Sequence, residues 1–353
     1  MKSQAPPSHP LNILCIGAGA IGTYLGGSLM LAGNRVVFLE KAQTALQIQQ
    51  MRLQLADGKH ILKSPEFTSN VPDALSKGPF DLAIFALKSF DTASAMKPFA
   101  NVKDNLPPFL SLQNGVENED KIATIIGTEN VIPATVTTAV GKHGPGDITL
   151  EKFRGIGISA LHPLSMRLET AFKAANLNPQ LFSNPAAMKW SKMLTNLVAN
   201  ATSAVLGLPP GDVYTQKSVF QVEAAQLRET LQVMSALNLP VVDLPGTPVR
   251  LLAAVIKFLP LSISRPLLKK AVIGGRGDKM PSFYLDLYSG RDKSEVEFLN
   301  GAVVRAGKRI GVPTPANAFL TTTLLRMVQG DFPKETYQNR PEKFRKDYEN
   351  FTE

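Results

Sequence analysis

Residues 189–204, KWSKMLTNLVANATSA, carry polar side chains whose types and spacing suit ligand binding and proton transfer. Lys192, Asn196 and Asn200 follow one another at one-turn intervals in a segment that is predicted to be one helix. The apolar stripe that supports this prediction comprises Trp190, Met193, Leu194, Leu197, Val198, Ala201 and Val205. Asn is a mediocre helix former, because its amide competes for backbone hydrogen bonds. The polar stripe therefore favours a binding site over its alternative, a plain solvated face.

Lys192 is the residue of this stripe that can act as an acid. Lysine serves as a proton donor in an apolar cleft, and no acidic residue lies between Ala186 and Val205. The amides of Asn196 and Asn200 can both donate and accept hydrogen bonds to a small polar substrate. The four histidines, which all precede the helical half and show no metal-ligand spacing, are His9, His60, His143 and His162. No metal site is expected.

The segment ILCIGAGAIG contains a glycine-rich turn of the kind that binds dinucleotides. Gly17, Gly19 and Gly22 form G-x-G-x-x-G between an apolar strand and a helix, with Ala18, Ala20 and Ile21 as the intervening residues. The glycines allow a tight turn, backbone approach to a pyrophosphate and close helix–strand packing. The next strand ends in Glu40, where an acidic partner for a ribose is expected. The alternative is an ordinary Gly-rich β–α turn.

Two other polar residues come directly after predicted strands. Lys88 follows DLAIFAL, and Asn114 follows FLSLQ in the turn pair Asn114-Gly115. Each has a simpler interpretation, as a solvated lysine or an ordinary turn. Both would nevertheless lie at the carboxyl edge of an open α/β sheet, where ligands bind.

The elements that must position these residues form two predicted domains. Short apolar runs alternate with helical stretches in the first half, which is typical of a parallel sheet covered by helices. The expected strands are 12–17, 35–40, 81–87, 109–113 and 131–136. The pattern becomes mostly helical after the Asn184-Pro185 turn. We therefore predict an α/β Rossmann domain over residues 1–184 and an all-α domain over residues 185–353.

The C-terminal half contains a further helix with recognisable ends. Ser294 and Glu297 fit a capping box, and Gly311 followed by Pro313 fits the end of the helix. Glu295 lies in the first turn, where an acid favours the helix dipole.

Composition limits the class of protein. Lys and Arg total 38 against 29 Asp and Glu, which gives a formal net charge of +9 and favours anionic ligands. Nucleic acid is not expected, because the basic residues are scattered and no known binding motif is present. The lone Cys15 suits a reducing cytoplasm, and the first residues, MKSQAPPSHP, lack the apolar core of an export signal. The apolar run 249–264 is shorter than the ~20 residues of a membrane-spanning helix, and it is interrupted by Lys257 and Pro260. Residues 249–273 are instead expected to form an interface or a cover on the helical domain.

Several ordered motifs together resemble the ketopantoate reductases (2-dehydropantoate 2-reductases). They are GAGAIG, ALKSFD, LQNGVE, KWSKMLTNLVANATSA, PSFYLDL, and SEVEFLNG followed by GVPTP. The resemblance covers nearly the whole chain. It implies a Rossmann domain and a helical domain like the C-terminal part of 6-phosphogluconate dehydrogenase, which enclose the active site.

The resemblance also implies roles for single residues. By position, Lys192 is similar to the proton donor, and Glu295 to the acid near the lysine and substrate. Asn196 and Asn200 resemble substrate-binding amides, and Ser282 a carboxylate-binding hydroxyl. Asn114 matches the residue between nicotinamide and substrate, and Lys88 a cofactor-binding lysine. The implied reaction is hydride transfer to the 2-oxo acid ketopantoate, which gives pantoate for pantothenate and coenzyme A synthesis. A homodimer is left open.

The resemblance implies NADP as the cofactor, because the family commonly ends its second strand with a basic residue that pairs with the 2′-phosphate. Glu40 occupies that place here. A carboxylate accepts hydrogen bonds from ribose hydroxyls and repels a 2′-phosphate, whereas Lys41 and Lys88 add compensating charge. We therefore expect weak discrimination, with NAD also used.

Three departures from the family pattern concern the substrate. Ala201 follows Asn200 where Pro is frequent, the loop LGLPPGD lacks an Asn that some members use, and the stretch 240–280 is long and apolar. Two alternatives follow. One is a related dehydrogenase of the same two-domain plan that acts on another 2-oxo or 3-hydroxy acid. The other is a non-catalytic nicotinamide-sensing protein, which the presence of Lys192 disfavours.

Overall fold

The computed structural model describes residues 10–276 and 279–352. The segment MKSQAPPSH, with His9 and most of the stretch in which no export signal is expected, lies outside the described residues. The described chain separates into two compact units. The first unit contains the residues up to Gln113 together with Glu117–Lys189 and Leu244–Thr247. The second unit contains Asn114–Val116, Trp190–Asp243 and the residues from Pro248 onward.

The first unit is built on two β-sheets. Its strands are β1 (Asn12–Ile16), β2 (Arg35–Leu39), β3 (Gln50–Leu55), β4 (Gly58–Lys63), β5 (Glu66–Thr68), β6 (Leu82–Phe85), β7 (Phe109–Ser111), β8 (Val131–Val136), β9 (Ala139–Gly144), β10 (Asp147–Lys152), β11 (Ile156–Ser159) and β12 (Pro179–Phe182). The larger sheet has the order β12-β11-β8-β7-β6-β1-β2-β5, and the smaller has the order β4-β3-β10-β9. In the larger sheet the pairs from β5 to β8 are parallel, and β11 is antiparallel to β8.

The larger sheet is buried on both faces. Its helices are α1 (Ala20–Leu31), α2 (Ala42–Ala45), α3 (Val71–Ser76), α4 (Thr92–Met96), α5 (Asn118–Ile126) and α6 (Ser165–Ala174). Short 3₁₀ segments are Ser89–Asp91, Lys97–Asn105 and Thr128–Asn130. Alternate residues of β1 enter different cores: Ile13 and Cys15 pack on one side, and Leu14 and Ile16 on the other. Continuous apolar strands of this kind are typical of parallel sheets covered by helices, and the predicted α/β class is confirmed.

The five strands predicted from apolar runs all form, each within the expected range. The smaller sheet was not predicted. Its strand β4, with the sequence GKHILK, alternates half-buried and exposed residues and carries polar side chains, so it contains no apolar run. Strands with one solvated face are harder to recognise than buried parallel strands for this reason.

The second unit is formed by helices. α7 (Pro185–Leu197) begins in the first unit and continues into the second; the others are α8 (Ala201–Leu206), α9 (Pro210–Val213), α10 (Lys217–Ala236), α11 (Val249–Phe258), α12 (Leu261–Arg276), α13 (Ser282–Tyr288), α14 (Asn300–Ile310), α15 (Pro315–Gln329) and α16 (Pro341–Thr352). The 3₁₀ segments are Glu295–Phe298 and Lys334–Thr336. The turn predicted at Asn184-Pro185 is present, because Oδ1 of Asn184 accepts a hydrogen bond from the N–H of Ala187 at 2.9 Å. The predicted all-α C-terminal part is confirmed.

The apolar stretch 249–273 forms α11 and most of α12. Val249, Ala253 and Ile256 bury one face of α11, while Leu251 and Phe258 on another face are 62% and 72% exposed. Within the described ranges, no helix has the length and apolar character required to cross a membrane. The interface or cover expected for this stretch stays a prediction.

Candidate active site

The glycine-rich turn lies between β1 and α1, as its motif predicts. Gly17 has a φ of +96°, which side-chain-bearing residues rarely adopt, and its N–H donates to the carbonyl of Leu39 at 2.9 Å. A Cβ at Gly22 would overlap the carbonyl oxygen of Gly17. Gly19, in contrast, has no heavy atom within 4 Å of a Cβ position. Two glycines are therefore needed by the fold, and the third leaves open space in front of the N-terminus of α1.

Glu40 lies beside this turn, directly after β2. One carboxylate oxygen accepts from the N–H of Ala18 at 2.8 Å, and the other accepts from the N–H of Lys41 at 2.9 Å. Beneath the turn, burial raises the pKa of the Cys15 thiol, and the charge of Glu40 adds to this effect. Cys15 is thus a neutral residue of the hydrophobic core beneath the turn. Glu40 is the charged group at the end of the second strand.

The residues of this turn fit a dinucleotide. The first backbone N–H groups of a helix have no partner within the helix and attract phosphate, and the first turn of α1 carries no acidic residue. The open space at Gly19 lets a phosphate approach the backbone, and Glu40 offers acceptors to ribose hydroxyls. Ala18, Ala20 and Ile21 complete the turn and the start of α1.

Lys88 lies after β6 at the carboxyl edge of the larger sheet. It is half-buried and immediately precedes the 3₁₀ segment Ser89–Asp91. Its carbonyl accepts a hydrogen bond from Nε2 of Gln113 at 3.1 Å, and the same nitrogen donates to Thr92 at 2.7 Å. The backbone at Lys88 is thus tied to the end of the segment that follows β7.

The prediction of one helix through residues 189–204 is wrong. α7 ends at Leu197, Ala199 has a φ of +49°, and α8 begins at Ala201. Asn200 is therefore the residue that precedes α8, and not part of a helix interior. The predicted apolar stripe is buried, so periodicity identified the inner face correctly but did not detect the break. At the break, Ala199 and Thr202 are hydrogen-bonded to Glu223 on α10.

Hydrogen bonds connect three of the predicted site residues with one another and with the peptide that follows a fourth. Nδ2 of Asn196 donates to Oδ1 of Asn114 at 3.0 Å, and Nδ2 of Asn200 donates to the carbonyl of Asn196 at 3.0 Å. Oδ1 of Asn200 accepts from the N–H of Phe283 at 3.2 Å, which places Asn200 next to the peptide that follows Ser282. We call this the amide chain: Asn114, Asn196, Asn200 and the backbone of 282–283.

Lys192 lies one helical turn before Asn196 on α7, on the same face of the helix. Its side chain is half-buried, and its carbonyl accepts from the hydroxyl of Thr195 at 2.8 Å. Ser282 is exposed at the first position of α13. Lys192, Asn196 and Ser282 all belong to the second unit.

Glu295 is 2% exposed and begins a 3₁₀ turn rather than a regular helix. Ser294 caps this turn as predicted, because its Oγ accepts from the N–H of Val296 at 3.2 Å. The return bond from Glu297 that would complete a capping box stays a prediction. Leu299, with φ and ψ of −109° and −85°, separates this turn from α14. The predicted end of that helix is correct, since Gly311 has a φ of +73°.

A buried ion pair near the end of β7 was not predicted from the sequence. Nζ of Lys189, whose residue is 5% exposed, lies 2.8 Å from Oε1 of Glu119 and donates to the carbonyls of Gln113 at 2.6 Å and Ala134 at 3.3 Å. Ser111 donates to the same Glu119 oxygen at 2.8 Å. The signal available in the sequence was Lys189 itself, a charge among the apolar residues of α7. The pair anchors the peptide directly before Asn114.

Among residues 10–276 and 279–352, no three His, Cys, Asp or Glu side chains are grouped so that they could hold a metal ion.

Comparison with known proteins gives consistent results for both halves of the chain. Residues 13–162 match the family "Ketopantoate reductase PanE/ApbA", and residues 184–329 match "Ketopantoate reductase PanE/ApbA C terminal". The chain is 25% identical over 316 residues to the 2-dehydropantoate 2-reductase of Pyrococcus horikoshii, covering 88% of this chain and 95% of that protein. It is 26% identical over 327 residues to the enzyme of the same name from Lactococcus lactis, covering 88% and 96%.

Solved structures show the same fold. A PanE/ApbA family ketopantoate reductase from Ralstonia eutropha JMP134 is 28% identical, with a TM-score of 0.74 over 90% of this chain and 99% of that one. A ternary structure of D-mandelate dehydrogenase with NADH and anilino(oxo)acetate is 20% identical, with a TM-score of 0.71 over 90% and 99%. At that identity the second likeness concerns the fold alone.

Proposed function

The chain belongs to the ketopantoate reductase PanE/ApbA family, and from this premise we propose that it reduces ketopantoate to pantoate. Family and relatives make it an NAD(P)-dependent oxidoreductase. The observation that supports the proposed substrate class is the amide chain, with Lys192 one helical turn before Asn196. A lysine on the same helix face as an amide of this chain suits a small acid with a carbonyl group.

In the proposed reaction, a hydride adds to the ketone carbon of a 2-oxo acid and a proton adds to the ketone oxygen, which gives a 2-hydroxy acid. The reduced nicotinamide, when bound, supplies the hydride. The Lys192 ammonium donates the proton, and solvent restores it after product release. Donation at the oxygen removes the negative charge that would otherwise develop there.

Other residues of the second unit bind and orient the substrate in this proposal. The Ser282 hydroxyl and the amides of Asn196 and Asn200 bind the carboxylate and the polar groups of the acid. Asn114 would hold the substrate and the nicotinamide, the role that its position in the family pattern implies. The buried Glu295 carboxylate is the acid near the lysine and the substrate, and orients them.

The proposed cofactor is NADP, with measurable use of NAD. Gly17, Gly19 and Gly22 would hold the pyrophosphate at the N-terminus of α1, and Lys88 would be a further cofactor-binding residue. NAD is included because the Glu40 carboxylate suits ribose hydroxyls and repels a 2′-phosphate. Structures of D-mandelate dehydrogenase contain NADH, which supports this choice at the level of the shared fold.

Another 2-oxo acid, or a 3-hydroxy acid, is the second candidate substrate. Ala201 in place of Pro, the loop 206–212 without Asn, and the long segment that forms α11 and α12 all depart from the family pattern. D-mandelate dehydrogenase, a neighbour in fold, is named for a 2-hydroxy acid with an aromatic group.

We propose residues 1–184 and 185–353 as the functional domains, and a place in pantothenate synthesis. A cytoplasmic location is supported by the single, buried cysteine. Whether the protein is a homodimer is tested by light scattering.

The test is oxidation of NADPH and NADH by the purified protein with a panel of 2-oxo acids that includes ketopantoate, 2-oxoisovalerate and phenylglyoxylate. We expect the highest kcat/KM with ketopantoate. A preference for phenylglyoxylate would move the assignment to the second candidate. Cofactor binding without turnover of any acid would indicate the sensing protein instead.

A further inference from the structure

The break between α7 and α8 is energetically unfavourable by itself. Ala199 adopts a φ of +49°, in the left-handed region where a residue with a Cβ is disfavoured. The N–H of Asn200 bonds back to the carbonyl of Leu197 at 3.2 Å, but Ala199 lies outside both helices. Since such a conformation persists only where the surroundings stabilise it, a partner for the backbone at Ala199 is needed.

Glu223 on α10 supplies this partner. Its side chain is fully buried, and Oε1 accepts from the N–H of Ala199 at 2.5 Å. Oε2 accepts from the hydroxyl of Thr202, in the first turn of α8, at 2.9 Å. One carboxylate thus bonds to the chain on both sides of Asn200. All of these residues belong to the second unit.

Two further donors hold the Glu223 carboxylate in place. The hydroxyl of Tyr214 donates to Oε1 at 3.2 Å, and Nε2 of Gln226 donates to Oε2 at 2.6 Å. Gln226 also donates to the carbonyl of Leu197, the last residue of α7, at 3.4 Å. With four donors, the carboxylate is well satisfied, and its position is determined by the packing of α10 rather than by solvent.

The geometry points to Glu223 as a positioning residue for the substrate-binding amides. We propose that it holds Ala199 in the left-handed conformation, and so directs Asn200 toward the carbonyl of Asn196 and the N–H of Phe283. The proposal rests on the proposed function, because it assigns the purpose of the break to binding of the 2-oxo acid. A continuous helix would carry Asn200 at an interior position and lose the bond to Phe283.

Glu229 provides a matched control on the same helix. It is also a buried acid, 7% exposed, but it accepts from the N–H groups of Ala316 at 2.7 Å and Asn317 at 2.9 Å, at the start of α15. Glu229→Gln changes a buried carboxylate of α10 whose hydrogen bonds go to the start of α15, whereas those of Glu223 go to the break. Both variants are therefore expected to lose stability. Only Glu223→Gln is expected to lose substrate binding as well.

The experiment compares Glu223→Gln, Glu229→Gln and wild type for KM, for nucleotide affinity by fluorescence, and for amide hydrogen exchange of the peptide 197–203. Gln keeps one acceptor oxygen where Glu223 offers two, so the bond to Ala199 or to Thr202 is lost. Loss of a hydrogen bond corresponds to a factor of up to about ten in an equilibrium constant, so Glu223→Gln should raise KM for the 2-oxo acid by up to about that factor. Nucleotide affinity should not change. Exchange at 197–203 should accelerate in Glu223→Gln and not in Glu229→Gln.

Ala199→Gly separates positioning from stability, because glycine adopts a positive φ without help. The double variant Ala199→Gly, Glu223→Gln should recover most of the lost substrate affinity, and it keeps the test usable if Glu223→Gln alone is poorly folded. An unchanged KM in Glu223→Gln, or an equal rise in Glu229→Gln, would overturn the proposal. If wild type reduces no 2-oxo acid, the proposed function fails. The comparison of amide hydrogen exchange at 197–203 between wild type and Glu223→Gln still decides whether Glu223 holds the break.

Discussion

The side-chain amide of Asn196 donates to that of Asn114 across 3.0 Å, although the two residues are 82 positions apart. One belongs to α7 and the other to the loop after β7. Lys192, the proposed proton donor, precedes Asn196 by one turn of the same helix. The bond therefore connects the helix of the proposed donor to the loop that carries Asn114.

Lys192→Ala should lower kcat by about 10²- to 10⁴-fold, the usual contribution of a general acid. The reason is that the ketone oxygen would have to take its proton from water. NADPH affinity, measured by fluorescence titration, should stay nearly unchanged. Lys217→Ala, at an exposed position on α10, is the control. Normal turnover in Lys192→Ala would remove this lysine from the mechanism.

Ser282→Ala should raise KM for the 2-oxo acid by about tenfold or more, because a hydrogen bond to a carboxylate contributes about 1.5–3 kcal/mol. Steady-state kinetics with saturating cofactor measures the change. Ser289→Ala, at the other end of α13, where the hydroxyl donates to the carbonyl of Asp286 within the same helical turn, should have no effect. A rise in KM for the nicotinamide alone would contradict the assignment.

Gly19→Ala and Gly22→Ala should separate cofactor binding from folding. A methyl group at Gly19 meets no atom within 4 Å, so stability should change by about 0.5 kcal/mol or less while nucleotide affinity falls. At Gly22 the methyl group overlaps the Gly17 carbonyl, which should cost about 1–3 kcal/mol. Urea denaturation and nucleotide titration of both variants measure the difference. The hypothesis of a pyrophosphate at Gly19 fails if Gly19→Ala binds nucleotide normally.

Glu40→Arg should shift the ratio of kcat/KM values toward NADPH, because it replaces a like charge by a bidentate phosphate donor. It also removes the acceptor of the Ala18 N–H. Glu40→Gln, which keeps an acceptor without the charge, is therefore the control and should shift the ratio less. Strict NADPH dependence of wild type that neither substitution moves would show that Glu40 points away from the ribose.

Stability should depend on pH through Glu223. Burial raises the pKa of this carboxyl, against the lowering effect of its hydrogen bonds to Ala199, Thr202, Tyr214 and Gln226. A raised pKa means that the folded state binds the proton more tightly than the unfolded chain. The stabilisation is therefore fully present below the usual pKa range of Glu, and is lost as pH rises through the raised pKa.

The measurement is urea unfolding of wild type and Glu223→Gln at about pH 5 and about pH 8. The advantage of wild type over the variant should shrink as pH rises. Burial also raises the pKa of Glu229, so Glu229→Gln should show the same direction. A difference that is constant between the two pH values would contradict the raised pKa of Glu223.

Much of the fold could be predicted because burial leaves a local pattern. The strands at Ile13 and Leu82 are continuous apolar runs, and the stripe from Trp190 to Val205 marks a buried helical face even across the break. The smaller sheet could not be predicted, since β4 alternates and carries Lys and His. The same contrast applies to the site. Glu40 was identified by its distance from the glycines, whereas the partners of Lys189 and the break at Ala199 were not.

By itself, the sequence determined the fold class and the position of the glycine turn, and it proposed the residues of the candidate site, because each depends on local spacing, on turn geometry or on the side chains themselves. Only the tertiary structure decided where Asn200 points. The backbone next to Asn200 is bonded to the carboxylate of Glu223, which accepts from the N–H of Ala199. Glu223 lies 24 positions beyond Ala199 and is brought to it by the packing of α10. A local pattern reports which residues are buried, but it contains no information on which distant donor or acceptor will meet them.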